Sequence, residues 1–382
     1  MHKFHRRKLL GAAASLCLAA PGRAANRGND GNSVPMPRFG AALPLTGTYA
    51  LEGDETLRGI QLAVDATNAA GGIAGKPVSL AQIDMPSQPS ASAAVNGLIS
   101  NQRANILLGS GNAALSYPAT AAAELAQTPF IELTAMADGI MTRGFKYLLR
   151  TCPTTAMAGA LAAGTIKSRF QRRKLGLLFN TGATAGAIAA AVISALNGAK
   201  LPITLAAGYP ENAVDLTTEA GRMMRAKVDV LLHAAGPDDS LALFQAMKDL
   251  NWRPSALIGC GVGYGLRDTH EALGEALDGT LVIAPPFYPG PAKEIAAAYV
   301  ARYAVPPRSA ESCTAYVGAK LVFDTLNATD GNPAALLDAM RKLSLAPGTL
   351  VNGFGAKFDA SGQNTASFVT LQRWRDGALV PA

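Results

Sequence analysis

From Arg38 onward, short apolar runs alternate with stretches whose apolar positions recur every three or four residues. Residues 38–43 form the first apolar run, closed by the turn Pro44-Leu45-Thr46-Gly47. From Asp54, residues Leu57, Ile60, Ala63, Val64 and Thr67 fall on one helical face. Asn68 and Gly71-Gly72, which tolerate positive φ, end that helix. Residues 77–83 make a second strand with no room for a hairpin partner. This order predicts a βαβ unit, hence a parallel sheet with a right-handed crossover.

The alternation continues. Residues 88–101 suit a helix and 104–108 a buried strand, and Gly109-Ser110-Gly111-Asn112 turns into another helix near Ser116. Strands follow at 128–133 and 147–151. A second series reads strand 174–179, helix 184–197, strand 203–209, helix 215–226, strand 229–233, helix 238–250, and strands 256–259 and 280–284. Three helical stretches come next, at 293–303, 311–327 and 333–343. The tail alternates like a β-hairpin with a polar turn.

A chain of 382 residues exceeds one typical core and predicts two domains after a leader is removed. With 49% hydrophobic and 16% charged residues it is globular, not disordered. The net charge of +7 misleads. Residues 1–25 carry five cations and no acid; without them 29 basic residues face 27 acidic ones, or +2. A nucleic-acid partner therefore loses its support. The same 25 residues have a basic start, an apolar core at 9–20 and small residues at Ala24-Ala25, as a secretory signal peptide does. That core is too short for a permanent anchor, and no later segment suits a membrane span. His5-Arg6-Arg7-Lys8-Leu9-Leu10 resembles a twin-arginine export signal in part, with general secretion the competing route. Cys17 as a lipidation site follows a poor lipobox, Ala14-Ser15-Leu16. Residues 26–37 read as a flexible lead-in, and the three remaining cysteines, Cys152, Cys260 and Cys313, are no disulfide framework.

P-L-T-G at 44–47, L-R-G-I-Q-L-A-V-D at 57–65, N-A-A-G-G-I-A-G-K at 68–76 and Asp84 resemble the N-terminal signature of the branched-chain-amino-acid (Leu/Ile/Val) type of periplasmic binding proteins. These are the type I solute receptors of ABC importers. The resemblance covers essentially the whole mature chain. It implies an α/β fold of two doubly wound parallel-sheet lobes joined by three crossover strands. Lobe one would take 38–151 plus 286–345, and lobe two 152–285 plus 346–382. Arg150-Thr151-Cys152-Pro153 resembles the first crossover, Pro285-Pro286 the return, and the tail the third. The family's first-lobe cystine is absent, its places falling at Met85 and Asn112.

In open parallel sheets ligands sit beyond the carboxyl ends of the strands. The predicted site therefore lies between the lobes. Lobe one offers Ser110, Gly111, Asn112 and Ala113 in one loop and Thr134, Ala135 and Met136 in the other. Backbone N–H groups at the following helix starts suit a carboxylate, and Ser110 and Thr134 are side-chain candidates, with plain turn or cap duty as the competing reading. Amino-acid receptors of the family clamp the ligand's carboxylate and ammonium. The corresponding positions here are Ala113, Met136, Ala185, Gly236 and, near the ammonium partner, Cys260-Gly261. The clamp is missing, and a buried ammonium without a carboxylate costs several kcal/mol. Glu52 stands where the family usually has an aromatic residue, and Glu311 lies near another lining position. Either would accept hydrogen bonds from hydroxyl, amide or cationic groups; the competing reading is a solvated or dipole-favouring glutamate. Small residues at the clamp positions predict a roomier, more apolar cleft for a bulkier ligand.

Enzyme readings fail for lack of material. His233 and His270 are the only mature histidines and stand far apart. Gly109-Ser110-Gly111 lacks the outer glycines of a nucleophile elbow, and residues 259–265 do not fit a dinucleotide fingerprint. Cys260 has no evident base and reads as a buried thiol. The expectation is an exported monomer, without catalytic residues, metal or cofactor. It would capture a small organic solute, other than a plain aliphatic amino acid, and deliver it to ABC permease subunits. A ligand sensor of the same fold coupled to a receptor or regulator is the alternative, and a hydrolase the more distant one.

Overall fold

The computed structural model describes residues 36–382. The leader, its cleavage site, Cys17 and residues 26–35 of the lead-in lie outside the described residues. In chain order the first elements are β1 (Phe39–Leu43), α1 (Ala50–Ala69), β2 (Leu80–Asp84), α2 (Gln88–Ser100), β3 (Ile106–Gly109), α3 (Ala113–Leu125), β4 (Phe130–Glu132) and β5 (Leu148–Arg150). They build a parallel sheet in the order β2-β1-β3-β4-β5. Then follow α4 (Thr155–Arg169), β6 (Leu175–Asn180), α5 (Ala183–Gly198), β7 (Leu205–Tyr209), α6 (Thr217–Arg225), β8 (Val230–Ala234), α7 (Pro237–Asp249), β9 (Ala256–Cys260), α8 (Arg267–Leu273) and β10 (Leu281–Ala284). Next come α9 (Lys293–Tyr303), α10 (Ala310–Asn327), α11 (Leu336–Arg341), β11 (Ser344–Leu345), β12 (Ala356–Lys357), β13 (Thr370–Arg375) and β14 (Ala378–Pro381). The second sheet runs β14-β13-β10-β9-β8-β6-β7, with β13 and β14 antiparallel on its edge.

The fold is the doubly wound two-lobe α/β architecture that the strand–helix alternation predicts. Each sheet is covered on both faces, so its strands are nearly all apolar: residues 106–109 read Ile-Leu-Leu-Gly and 230–232 Val-Leu-Leu, all buried. One face of the first sheet packs on α1 and on α10, which contributes Ala315, Ala319, Val322, Phe323 and Leu326. The two helices approach closely because Gly59 lies against the backbone of Ser312; a Cβ there would stand 2.1 Å from the Ser312 oxygen. The Asp376-Gly377 corner, with φ of 50° and 75°, closes the last hairpin.

One helix was not anticipated and one expectation needs correction. Helix α4 sits in a stretch, T-A-M-A-G-A-L-A-A-G-T-I, whose alanines and glycines blur the contrast between faces, and periodicity does not single it out. The tail does not cross at residue 346. Strands β11 and β12 pair with each other, and Ala356 and Phe358 belong to the lobe-one core. The chain joins the second sheet only at Thr370. What holds it back is a side-chain clasp at the first crossover. Arg150, 1% exposed, donates to Gln363 Oε1 at 2.5 Å and to the carbonyls of Ala135 and Ala137 at 3.2 and 2.7 Å. Gln363 and Asn364 in turn donate to the carbonyls of Cys152 and Thr151. The return segment is tied similarly, with Gln372 donating to Pro285 O at 3.0 Å and accepting from Phe287 N at 3.2 Å.

Candidate functional site

Two adjoining cavities lie where the strand ends of one lobe face those of the other. Their cavity volumes are about 50 and 260 Å³. The inner one is walled by Glu52, Asn112, Thr134 and Glu311 from lobe one and by Thr184, Ile188 and Cys260 from lobe two. Met136, Ile283 and Phe287 add apolar surface. The outer one shares Glu52, Asn112, Thr184 and Ile188 and reaches Tyr49, Ala185, Glu211 and Gly236. A further groove, with Leu241, Phe244 and Trp252, draws its whole lining from lobe two and has no second lobe to close on it.

Of the twelve residues expected at the site, Glu52, Gly111, Asn112, Ala113, Thr134, Ala135, Met136, Cys260 and Glu311 line the inner cavity. Ala185 and Gly236 line the outer one. Ser110 lines neither. It is fully buried, and its hydroxyl donates to Glu132 Oε2 at 2.7 Å. The expectation that this hydroxyl serves the cleft is thereby corrected: a buried carboxylate at the end of β4 holds it from behind.

Glu132 also alters the expected use of the loop amides. Its Oε1 accepts from the backbone N–H of Ser110, Thr134 and Ala135 at 2.7, 3.3 and 3.0 Å, and Ser116 adds a hydroxyl to Oε2 at 2.6 Å. At the start of α3, Asn112 Oδ1 caps Ala114 N at 2.8 Å and Thr184 Oγ1, from lobe two, accepts from Ala113 N at 3.4 Å. Five backbone donors in the two loops are therefore occupied within the protein. Sequence reasoning missed Glu132 because it ends a buried apolar strand; a charged residue there was itself the signal, since a buried carboxylate needs several donors.

Glu52 occupies the first turn of α1 and is 7% exposed. Asn112 Nδ2 donates to its Oε2 at 3.0 Å. Burial pushes its pKa up to about 8; the Asn112 hydrogen bond opposes the shift, and the charges of Glu311 and Glu211 add to it. Glu311, in the first turn of α10 beside the cap Ser309, is also pushed up by burial. Neither is a freely solvated glutamate. The Thr134 hydroxyl lies 3.2 Å from that of Thr56. Burial raises the Cys260 thiol to about 12, so it is no ready nucleophile. Below the outer cavity, His233 sits between the hydroxyls of Tyr209 and Tyr264 at 2.6 and 2.5 Å. Among the described residues no group of three His, Cys, Asp or Glu is placed to hold a metal, and no helix is long and apolar enough to cross a membrane.

Comparison with known proteins bears on the family and the fold. The sequence profile of the family described as periplasmic binding protein matches residues 37–378. Over 361 residues the chain is 32% identical to Leu/Ile/Val-binding protein homolog 8 of Brucella abortus, covering 90% of this chain and 89% of the relative. Two solved structures share the fold. The branched-chain amino acid substrate-binding protein of Streptococcus pneumoniae, in complex with isoleucine, gives a TM-score of 0.80 at 20% identity, covering 90% of this chain and 98% of its own. A solute-binding protein from R. palustris, in complex with benzoate, gives 0.78 at 20% identity, covering 91% and 95%.

Proposed function

The chain belongs to the periplasmic binding protein family of ABC transport systems, and on that premise we propose that it captures a small organic solute by lobe closure and hands it to the permease of an importer. The observation that carries this reading is the inner cavity, to which both lobes contribute polar and apolar wall. A solute touching both walls favours the closed form over the open one, and the permease reads the closed surface. Export by the N-terminal leader, by the twin-arginine or the general route, would place the mature monomer in the periplasm, without cofactor.

A plain aliphatic amino acid is not the proposed solute. Ala113, Met136 and Cys260 line the inner cavity where the family's amino-acid clamp would stand, and none of them offers an ionised partner to a zwitterion. Catalysis is not part of the proposal either, since Ser110 is turned away from the cavity and Cys260 is held as a thiol. Family members are solute-binding proteins, and the binding of isoleucine by one neighbour and benzoate by another leaves the solute to the cavity's own chemistry.

A thermal-shift panel of amines, amides, aromatic acids, polyols and amino acids on the mature protein tests the reading. At least one compound is expected to raise the melting temperature at micromolar concentration, and that complex is expected to retain the permease in a pull-down. Stabilisation by leucine or valine at that level would overturn the exclusion of aliphatic amino acids; silence across the panel would overturn solute binding itself.

A further inference from the structure

The inner cavity presents acceptors to a solute. The amides of Ser110, Thr134 and Ala135 all point at Glu132, and those of Ala113 and Ala114 are taken by Thr184 and Asn112. Among the described residues no lysine, arginine or histidine lines the inner cavity. Two carboxyl groups do. Glu52 is more than nine-tenths buried; Asn112 donates to Oε2, while Oε1 has no donor among the described residues although the side chain lines the cavity. Glu311 also lines the cavity, and its backbone N–H donates to the cap Ser309 Oγ at 3.4 Å. Met136, Ile188, Ile283 and Phe287 supply apolar lining to the same cavity.

Resting on the reading of this cavity as the solute site, we propose that the solute class is cationic: an amine or amidinium on a compact apolar body. The charged head lies between Glu52 and Glu311, and the body lies against Met136, Ile188, Ile283 and Phe287. A desolvated cation requires a carboxylate and good hydrogen bonds, and these two glutamates are the acidic groups that line the inner cavity. An anionic solute would meet two carboxyl groups and no cation in the cavity wall, and the loop amides suited to receive it are in large part occupied by Glu132, Asn112 and Thr184. A cation needs no rearrangement of that network.

Benzamidine, benzamide and benzoate carry one ring with a cationic, a neutral and an anionic head, and calorimetric titration of each into the mature protein tests the assignment. Benzamidine is expected to bind at least tenfold tighter than benzoate. Glu52→Gln and Glu311→Gln, each first shown to melt cooperatively, are expected to reduce that preference tenfold or more; two variants keep the test alive if one misfolds. Benzamidine binding no tighter than benzoate, absence of binding by both included, overturns the assignment, as does a preference that survives both substitutions. Benzoate binding alone would sink the charge class and leave solute capture standing, whereas silence across the wider panel would remove both.

Discussion

Tyr49 of lobe one donates its hydroxyl to the carboxylate of Glu211 in lobe two, 3.1 Å from Oε2 and 3.2 Å from Oε1. Burial and the Glu211 charge push the phenol's pKa up, so it stays a donor. It is one of several hydrogen bonds that join the lobes, with Ala113 N to Thr184 Oγ1 at 3.4 Å, Arg308 Nε to Asp268 Oδ2 at 2.9 Å and Arg267 N to Arg308 O at 2.8 Å. A hydrogen bond to a charged group contributes about 1.5–3 kcal/mol when desolvated; at this half-buried position about 1 kcal/mol is expected. Tyr49→Phe should therefore shift the closed-to-open ratio by about fivefold. Small-angle scattering without solute should show a larger radius of gyration, and a bound solute should dissociate faster. Unchanged scattering and affinity would mean that the contact is not a latch.

Ser110→Ala should act on stability more than on binding. It removes a hydroxyl donor from the fully buried Glu132 and leaves that carboxylate short of a partner. The expected loss is about 1–3 kcal/mol in urea unfolding. A large loss of solute affinity at unchanged stability would place the hydroxyl in the cavity after all.

Much of this architecture is legible in the chain because it is encoded locally. The 38–84 unit, the strand runs and the start of α10 announce themselves through periodicity and caps. What escaped the sequence is held by distant side chains. Ser110 looks like a loop hydroxyl until Glu132 folds beneath it, 22 residues on. The tail looks free to cross at residue 346 until Gln363 meets Arg150, 213 residues away. Phe287 and Ile283 line the cavity with ordinary core residue types, so no local signal marks them. Glu52 was legible as a departure from a family pattern, whereas its burial depends on helix packing that the pattern does not contain.

His233 should set the response of the fold to acid. It is fully buried between Tyr209 and Tyr264, and burial lowers its pKa from the usual 6.5 to about 3. Between those values the unfolded chain binds a proton that the folded chain refuses. Stability is therefore complete above pH 6.5 and falls as pH drops toward 3, by up to about 5 kcal/mol for this one group. His233→Phe should be less stable at pH 7, because two tyrosine hydroxyls lose their partner, and should lose less on acidification. Urea midpoints of both proteins at pH 7, 5.5 and 4.5 check this. Parallel midpoint curves would show that the imidazole is not what acid attacks.

Glu52 carries the opposite pH dependence, and it links stability to binding. The unfolded chain releases this proton near the usual 4.5 and the folded chain only near 8, so between them the folded state holds the extra proton. This contribution is full below pH 4.5 and is lost as pH rises through 8, again by up to about 5 kcal/mol. Glu52→Gln should flatten that slope. The groups whose charges act on Glu52 are Glu311 and Glu211, both acidic, and Asn112 is its hydrogen-bond donor. A cation entering the cavity supplies the missing opposite charge and favours the ionised carboxylate. Benzamidine binding should therefore release about one proton at pH 7 and tighten by up to about tenfold per pH unit until pH 8. Titrations in phosphate and in Tris, whose ionisation enthalpies differ, read that proton directly. Equal apparent enthalpies in the two buffers would show that Glu52 does not change its charge when the cation binds.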